Sequence, residues 1–197
     1  MANKPILFNI EMVRAILDGR KSCTRRVIKH NVDAILNSPY HMEHPEVEDA
    51  WLIKKLCRPP YEPGDILYVR ETWCGLPVNE AGHMRGHTIY YYKADGELRP
   101  KGWRGTWHPS IHMPKEAARI WLKVTDVRVE RLQDMTDDDA EAEGCFDYSS
   151  TALGFFDVWD STIKKSDRDR YGWEANPWVW VIQFERCERP EREIKEV

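Results

Sequence analysis

The stretch Met12-Val13-Arg14-Ala15-Ile16-Leu17-Asp18-Gly19-Arg20-Lys21-Ser22-Cys23-Thr24-Arg25-Arg26-Val27-Ile28 changes its periodicity halfway, and the fold turns on that change. Met12, Val13, Ile16 and Leu17 recur at i, i+1, i+4 and i+5, the apolar face of a helix that starts after Asn9 and closes at Gly19. From Ser22 to Ile28 the period is two: Ser22, Thr24 and Arg26 share one face of a strand, and Cys23, Arg25 and Val27 share the other. A helix-to-strand turn that carries Arg20, Lys21, Arg25 and Arg26 presents an anion-facing mouth.

Outward from this junction, Pro5 to Phe8 is a short strand. Residues 29 to 57 are polar and irregular, with one short helix around Glu46 to Leu56. Pro59-Pro60-Tyr61-Glu62-Pro63-Gly64-Asp65 is a rigid turn feeding a strand from Ile66 to Glu71. The glycine-rich segment after Cys74 holds the aromatic strand Thr88 to Lys93, which predicts a hairpin or flap. Lys115 to Ala118 forms a single helical turn before a strand from Arg119 to Val129, with Ile120, Leu122 and Val124 on one face. Thr136 followed by Asp137, Asp138 and Asp139 starts a helix, since the hydroxyl accepts from a first-turn amide and carboxylates suit the positive end of the dipole. Asp139 and Glu143 then share a face, and Gly144 stops the helix. A further helix over Thr151 to Lys164 buries Leu153, Phe156, Trp159 and Ile163, and a strand from Trp178 to Phe184 ends the ordered chain. Short strands interrupted by a few helices predict an α+β fold, a small mixed barrel decorated by insertions.

The chain has 197 residues and 23.3 kDa, 42% apolar and 31% charged, which supports one core rather than two and excludes a disordered or fibrous chain. We therefore expect a single domain over residues 1–187 with insertions at 29–57, 74–114 and 148–175, and a charged tail over 188–197. The longest apolar run, Trp178 to Ile182, is strand-sized, so no membrane partner is expected. No leader-like apolar stretch follows Lys4, and five widely spaced cysteines form no C-x-x-C pair; the expected location is a reducing cytoplasm. The net charge of −4 argues against coating nucleic acid or anionic lipid with the whole surface, but the charge is segregated. Residues 1–30 carry seven basic and two acidic side chains, and residues 126–147 carry nine acidic and two basic. Such patches attract each other across a fold or flank a cleft.

The pattern Gly19-x-Lys21-x-x-Thr24-x-Arg26 resembles the G-x-K-x-x-[E/T]-x-R signature of the ASCH domain, a member of the PUA-like superfamily. Three stretches agree in order: Pro63 to Val69, the Leu122 to Val129 strand leading to the Thr136 helix, and Val179 to Phe184. The resemblance covers roughly residues 4–28, 60–72, 118–146 and 176–187, and the chain is similar to longer ASCH-domain proteins of phage and prophage genomes. It implies a PUA-like small mixed β-barrel with flanking helices and inserted segments, no cofactor or metal, and a modified nucleoside or RNA as partner. It also implies one of two activities. Some members recognise or cleave RNA; some small bacterial members are amidohydrolases that remove the acyl group of N4-acetylcytidine with a Lys, a Thr and a Glu. Lys21 and Thr24 stand at the first two positions, and Met135-Thr136-Asp137-Asp138-Asp139-Ala140-Glu141-Ala142-Glu143 matches the subgroup's acidic helix, which puts Glu143 at the third. Thr24 replaces the glutamate of other members, as in the amidohydrolase variant.

The chemistry of these residue types fits those roles. A threonine hydroxyl attacks only after a base takes its proton, and a lysine does that as the neutral amine. Glu143 can protonate the leaving nitrogen and then activate water against an acyl-Thr24 ester. Arg26 suits an oxyanion or a phosphate, and Arg20, Arg25, Glu71 and Trp73 complete the expected substrate contacts. Two other readings remain open at this point. Glu143 can be a helix carboxylate paired with a cation, and Trp73, Tyr90, Tyr92, Trp103 and Trp107, interleaved with His83, Arg85, His87, Lys93, Arg99, Lys101, Arg104 and His108, can form a stacking platform for RNA or pack the insertion. A ribonuclease would need Lys21 beside one of His83, His87, His108 or His112. A zinc site from Cys74 and these histidines is disfavoured, because Gly82 and Gly86 break the helix that His83 and His87 would need.

Overall fold

The computed structural model describes residues 3–78, 87–96, 105–145 and 151–190. The expectations placed on His83, Arg85, Arg99, Lys101, Trp103, Arg104, the side chains of His87 and Leu153, and residues 191–197 lie outside the described residues. In chain order the elements are β1 (Asn3–Leu7), α1 (Ile10–Leu17), β2 (Cys23–Val27), α2 (Val32–Leu36), α3 (Pro39–Glu43), α4 (Asp49–Cys57), β3 (Ile66–Arg70), β4 (Trp73–Val78), β5 (His87–Tyr92), β6 (Trp121–Arg131), α5 (Asp137–Ala142), α6 (Thr151–Thr162), α7 (Arg168–Tyr171) and β7 (Trp178–Cys187). A five-stranded sheet has the order β1-β3-β6-β7-β2, and β4 and β5 form a separate two-stranded hairpin. β1 runs parallel to β3 and the other recorded pairings are antiparallel, so the protein is of the mixed α+β class that its sequence predicts.

The chain divides into two compact units. The first comprises residues 1–17, 65–123 and 186–197. Within it β1 pairs with β3 from Asn3↔Ile66 to Leu7↔Arg70, and β3 pairs with the start of β6 from Ile66↔Lys123 to Tyr68↔Trp121. Asn9 caps α1 by accepting from the Met12 amide at 2.8 Å, and Val13 and Ile16 are buried, as the helical spacing requires. The predicted hairpin is present, from Trp73↔Tyr92 to Val78↔His87, and its rings pack with Tyr68 against the buried Met113, Ala117 and Trp121.

The second unit comprises residues 18–64 and 124–185. Its frame is the antiparallel pair of β2 and β7, with Cys23↔Gln183, Thr24↔Ile182, Arg25↔Val181, Arg26↔Trp180 and Val27↔Val179 opposite one another. Residues directly opposite in a ladder share a face, so the register separates two sets of side chains. Cys23, Val179 and Val181 pack with Leu132, Met135 and Ala140 and with Phe155 and Trp159 of α6. Thr24, Arg26, Trp180 and Ile182 project to the opposite face.

Three features differ from the sequence reading. The stretch taken as irregular holds α2 and α3, each only five residues long. Their start signals are caps rather than periodicity: Asn31 accepts from the Ala34 amide, and Ser38 accepts from His41 ahead of Pro39. In α6 Phe155 is buried and Phe156 only partly so, because the cluster above takes Phe155. In β6, Leu122 and Val124 are buried and then Val127 and Val129, so the alternation slips by one residue near Thr125 and the strand continues to Arg131.

Candidate functional site

α5 is short, and both of its ends are fixed. At the first turn Thr136 accepts from the Asp139 amide while the Asp139 carboxylate accepts from the Thr136 amide, a reciprocal capping box. At the last turn Glu143 is the C-cap residue and Gly144 follows at φ 92°, the left-handed conformation that terminates helices. The Ala142 carbonyl there accepts from the Ser22 amide at 2.9 Å, which brings the start of β2 to the end of α5.

This junction sets the pair that the sequence singled out. Lys21 Nζ donates to Glu143 Oε2 at 2.6 Å and to the Glu143 main-chain oxygen at 2.9 Å. The two side chains are 0% and 3% exposed. An ammonium here satisfies a carbonyl left without a helical partner and sits at the negative end of the helix dipole. Arg25 approaches the other carboxylate oxygen, Nη1 to Oε1 at 3.5 Å, while its Nη2 lies 3.3 Å from Asp139 Oδ1 and 3.5 Å from Glu130 Oε2. Arg25 Nε and Nη2 are buried without an aligned hydrogen bond, so Arg25 acts on these carboxylates mainly as a charge. Arg128 bridges Glu130 and Asp139. Burial alone would push the Asp139 carboxyl up, but the Thr136 amide and the Arg25 charge outweigh it and hold Asp139 below the ordinary carboxylate value. The segregated basic and acidic stretches of the sequence thus meet here.

Thr24, also buried, lies on the opposite face of β2 from Arg25. Its hydroxyl oxygen accepts from Arg26 Nη1 at 3.0 Å, and the same nitrogen donates to the Arg25 carbonyl at 3.1 Å. Burial pulls the Arg26 guanidinium below its ordinary value, and the Glu143 and Tyr61 charges act in the opposite direction. Glu143 therefore exerts its field on both faces of the strand. Between them, burial first and Glu143 second push the Cys23 thiol up to about 12. Arg20 is half exposed, pairs with Asp18 at 2.9 Å and reaches the Gly144 carbonyl at 3.4 Å.

The structure therefore brings Lys21, Arg25 and Glu143 into one network and sets Thr24 and Arg26 as a second pair on the same strand. Glu71 and Trp73 belong to the first unit. Both Glu71 carboxylate oxygens accept from Arg119, at 2.9 and 3.0 Å, and Trp73 makes tilted ring contacts with Tyr90 and His108 at ring-centroid distances of 5.8 and 5.1 Å. His108 and His112 also lie in the first unit, where His108 exchanges backbone hydrogen bonds with Trp73. Among the described residues no group of three or more His, Cys, Asp or Glu side chains is arranged to hold a metal ion, and no helix is long and apolar enough to cross a membrane. Arg119 and Trp180 escaped the sequence reading, because their roles depend on cross-strand partners, which a single sequence does not specify.

No family model matches the chain, and no curated protein does. Among solved structures the chain is similar to a crystal structure of an ASCH domain from Lactobacillus crispatus, at 10% identity and a TM-score of 0.47, over 94% of this chain and 79% of that one.

Proposed function

We propose that the second unit hydrolyses an N4-acylated cytidine to cytidine and the free carboxylic acid, through Lys21, Thr24 and Glu143 and without a metal, as in the ASCH-like amidohydrolases whose motif residues the chain shares. The observation that carries this reading is the buried Lys21–Glu143 contact at 2.6 Å, an acid and a base held at proton-transfer distance. Lys21 passes a proton to Glu143 and becomes the amine that accepts the Thr24 proton as Oγ1 attacks the acyl carbon. Arg26, held within hydrogen-bond distance of Thr24 Oγ1, supplies the positive charge for the oxyanion that develops on the acyl oxygen. Glu143 returns its proton to the exocyclic nitrogen as the C–N bond breaks and cytidine leaves. The carboxylate then takes a proton from water, hydroxide attacks the Thr24 ester, and Lys21 reprotonates Oγ1 as the acid departs. One proton from Glu143 back to Lys21 restores the starting state, so each turnover consumes one water. The roles of Arg20 and Arg25 are electrostatic: both keep the Glu143 end of α5 in a positive field.

Incubation of the full chain with N4-acetylcytidine, followed by chromatography, tests the reading. Cytidine release is expected, with a loss of about a thousandfold or more in Thr24→Ala. Release that survives Thr24→Ala, or no release at all, overturns it; salt-sensitive RNA binding without release points to a binding module instead.

A further inference from the structure

On the face of β2 that carries Thr24, a cavity of about 320 Å³ opens in the second unit. Its walls include Arg26, Lys29, His30 and Arg58, together with Tyr61 and the buried Trp180. Three fixed positive charges and an imidazole line it, and no carboxylate does. Arg26 and Trp180 are directly opposite in the β2–β7 ladder, which places a cation beside an indole by register rather than by chance of loop conformation. Arg58 is one of two non-glycine residues with positive φ among the described residues, at 50° just beyond α4. A strained backbone held at a cavity wall directs a side chain that a relaxed turn would not.

We infer that this cavity is a nucleotide subsite, in which Lys29, Arg58 and Arg26 receive a phosphate and Tyr61 and Trp180 receive the flat face of a base. A lining that holds three cations and no carboxylate selects an anion, and the aromatic pair distinguishes a nucleotide from a bare anion. The volume falls in the range of a small-ligand pocket. Because the Arg26 guanidinium both lines the cavity and donates to Thr24 Oγ1, a ligand seated there lies beside the proposed nucleophile. The preferred substrate is then a phosphorylated cytidine, free or within RNA, and the bare nucleoside is turned over less well. The choice of cytidine rests on the deacylase reading; the preference for a phosphate does not.

Binding of CMP, cytidine, ribose 5-phosphate and a 5′-phosphorylated cytidine hexanucleotide to the full chain, followed by calorimetry at low and high salt, tests the subsite without requiring turnover. CMP is expected to bind about tenfold or more tighter than cytidine or ribose 5-phosphate, with an affinity that falls as salt rises. Lys29→Glu and Arg58→Gly should each weaken CMP and leave cytidine unchanged. Glycine suits φ 50°, so Arg58→Gly keeps the fold and removes only the cation. Lys165→Glu, an exposed charge reversal outside the cavity lining, is expected to bind CMP as the parent does. A hexanucleotide tighter than CMP assigns the phosphate to RNA, and one no tighter assigns it to a free nucleotide. Equal affinities for CMP and cytidine, ribose 5-phosphate as tight as CMP, or no loss in Lys29→Glu and Arg58→Gly overturn the inference. CMP binding without hydrolysis of N4-acetylcytidine removes the deacylase and keeps the subsite; hydrolysis without phosphate preference does the reverse.

Discussion

Glu71 in the first unit and Glu143 in the second are both buried carboxylates paired with a cation distant in sequence, and they are built for different ends. Glu71 gives both oxygens to the planar fork of Arg119, which also holds Asp95 at 2.7 Å and lies 4.0 Å from the centre of the Tyr92 ring. Burial pushes the Glu71 carboxyl up and Arg119 pulls it down. An arginine keeps its proton under all physiological conditions, so this pair is a clasp. Glu143 faces a lysine, a point charge that can surrender a proton, and its second oxygen meets, among the described residues, the loosely placed Arg25 at 3.5 Å. A two-pronged arginine pair fixes structure; a lysine pair leaves a proton to move.

Replacing the lysine breaks that contrast most severely. Lys21→Met leaves Glu143 buried beside a single misaligned guanidinium, and a stability loss of about 3–5 kcal/mol is expected in urea unfolding. The double variant Lys21→Met with Glu143→Leu should recover most of it, since an apolar pair of similar size carries no unpaired charge. A single variant as stable as the parent would show that water replaces the lysine. Arg119→Lys sharpens the comparison from the other side. Losing the two-pronged contact and the stack on Tyr92 should cost about 1–2 kcal/mol and leave deacylation unchanged. A fall in turnover without a fall in stability would give Glu71 a share in the chemistry.

Acid should act on the second unit through Asp139. Its folded value lies below the ordinary 3.8, so its contribution is complete above that pH and is lost as pH falls through the folded value. Asp139→Asn should lower the urea midpoint at neutral pH, flatten the acid part of the profile, and converge on the parent at low pH, where the parent's carboxyl is protonated. The smallest effect is expected at Cys23, whose thiol is buried and held near 12. Iodoacetamide at mildly alkaline pH should leave it unmodified in the folded chain and modify it once urea unfolds the unit, as mass spectrometry would read. Labelling of the folded protein would mean that the face beneath α5 opens more readily than its packing implies.

Much of this was legible in sequence because the signals were local. The period change across Gly19, the Thr136 cap with its run of aspartates and the apolar run Trp178 to Ile182 in β7 each sit within a few residues of what they specify. The attraction between residues 1–30 and 126–147 was legible as charge, but its assignment to Lys21, Arg25, Glu130, Asp139 and Glu143 required the pairing of β2 with α5. Thr24 illustrates the limit. Its motif position is set by its spacing from Lys21, while the partner of its hydroxyl, Arg26, is set by the strand, which carries both on one face. The cavity walled by Arg58, Tyr61 and Trp180 was hidden for the same reason, since those residues are neighbours only through the register of β2 and β7 and the turn beyond α4.

The double contact of Lys21 with the end of α5 has a kinetic consequence. The ammonium, the Glu143 carbonyl, the Glu143 carboxylate and the Ser22 amide are stitched into one helical turn. Separating lysine from glutamate therefore also undoes the turn that holds the glutamate. Access of solvent to that pair is then paced by fraying of the last turn of α5, and the Ser22 amide, which exchanges its hydrogen only when the turn opens, keeps the time.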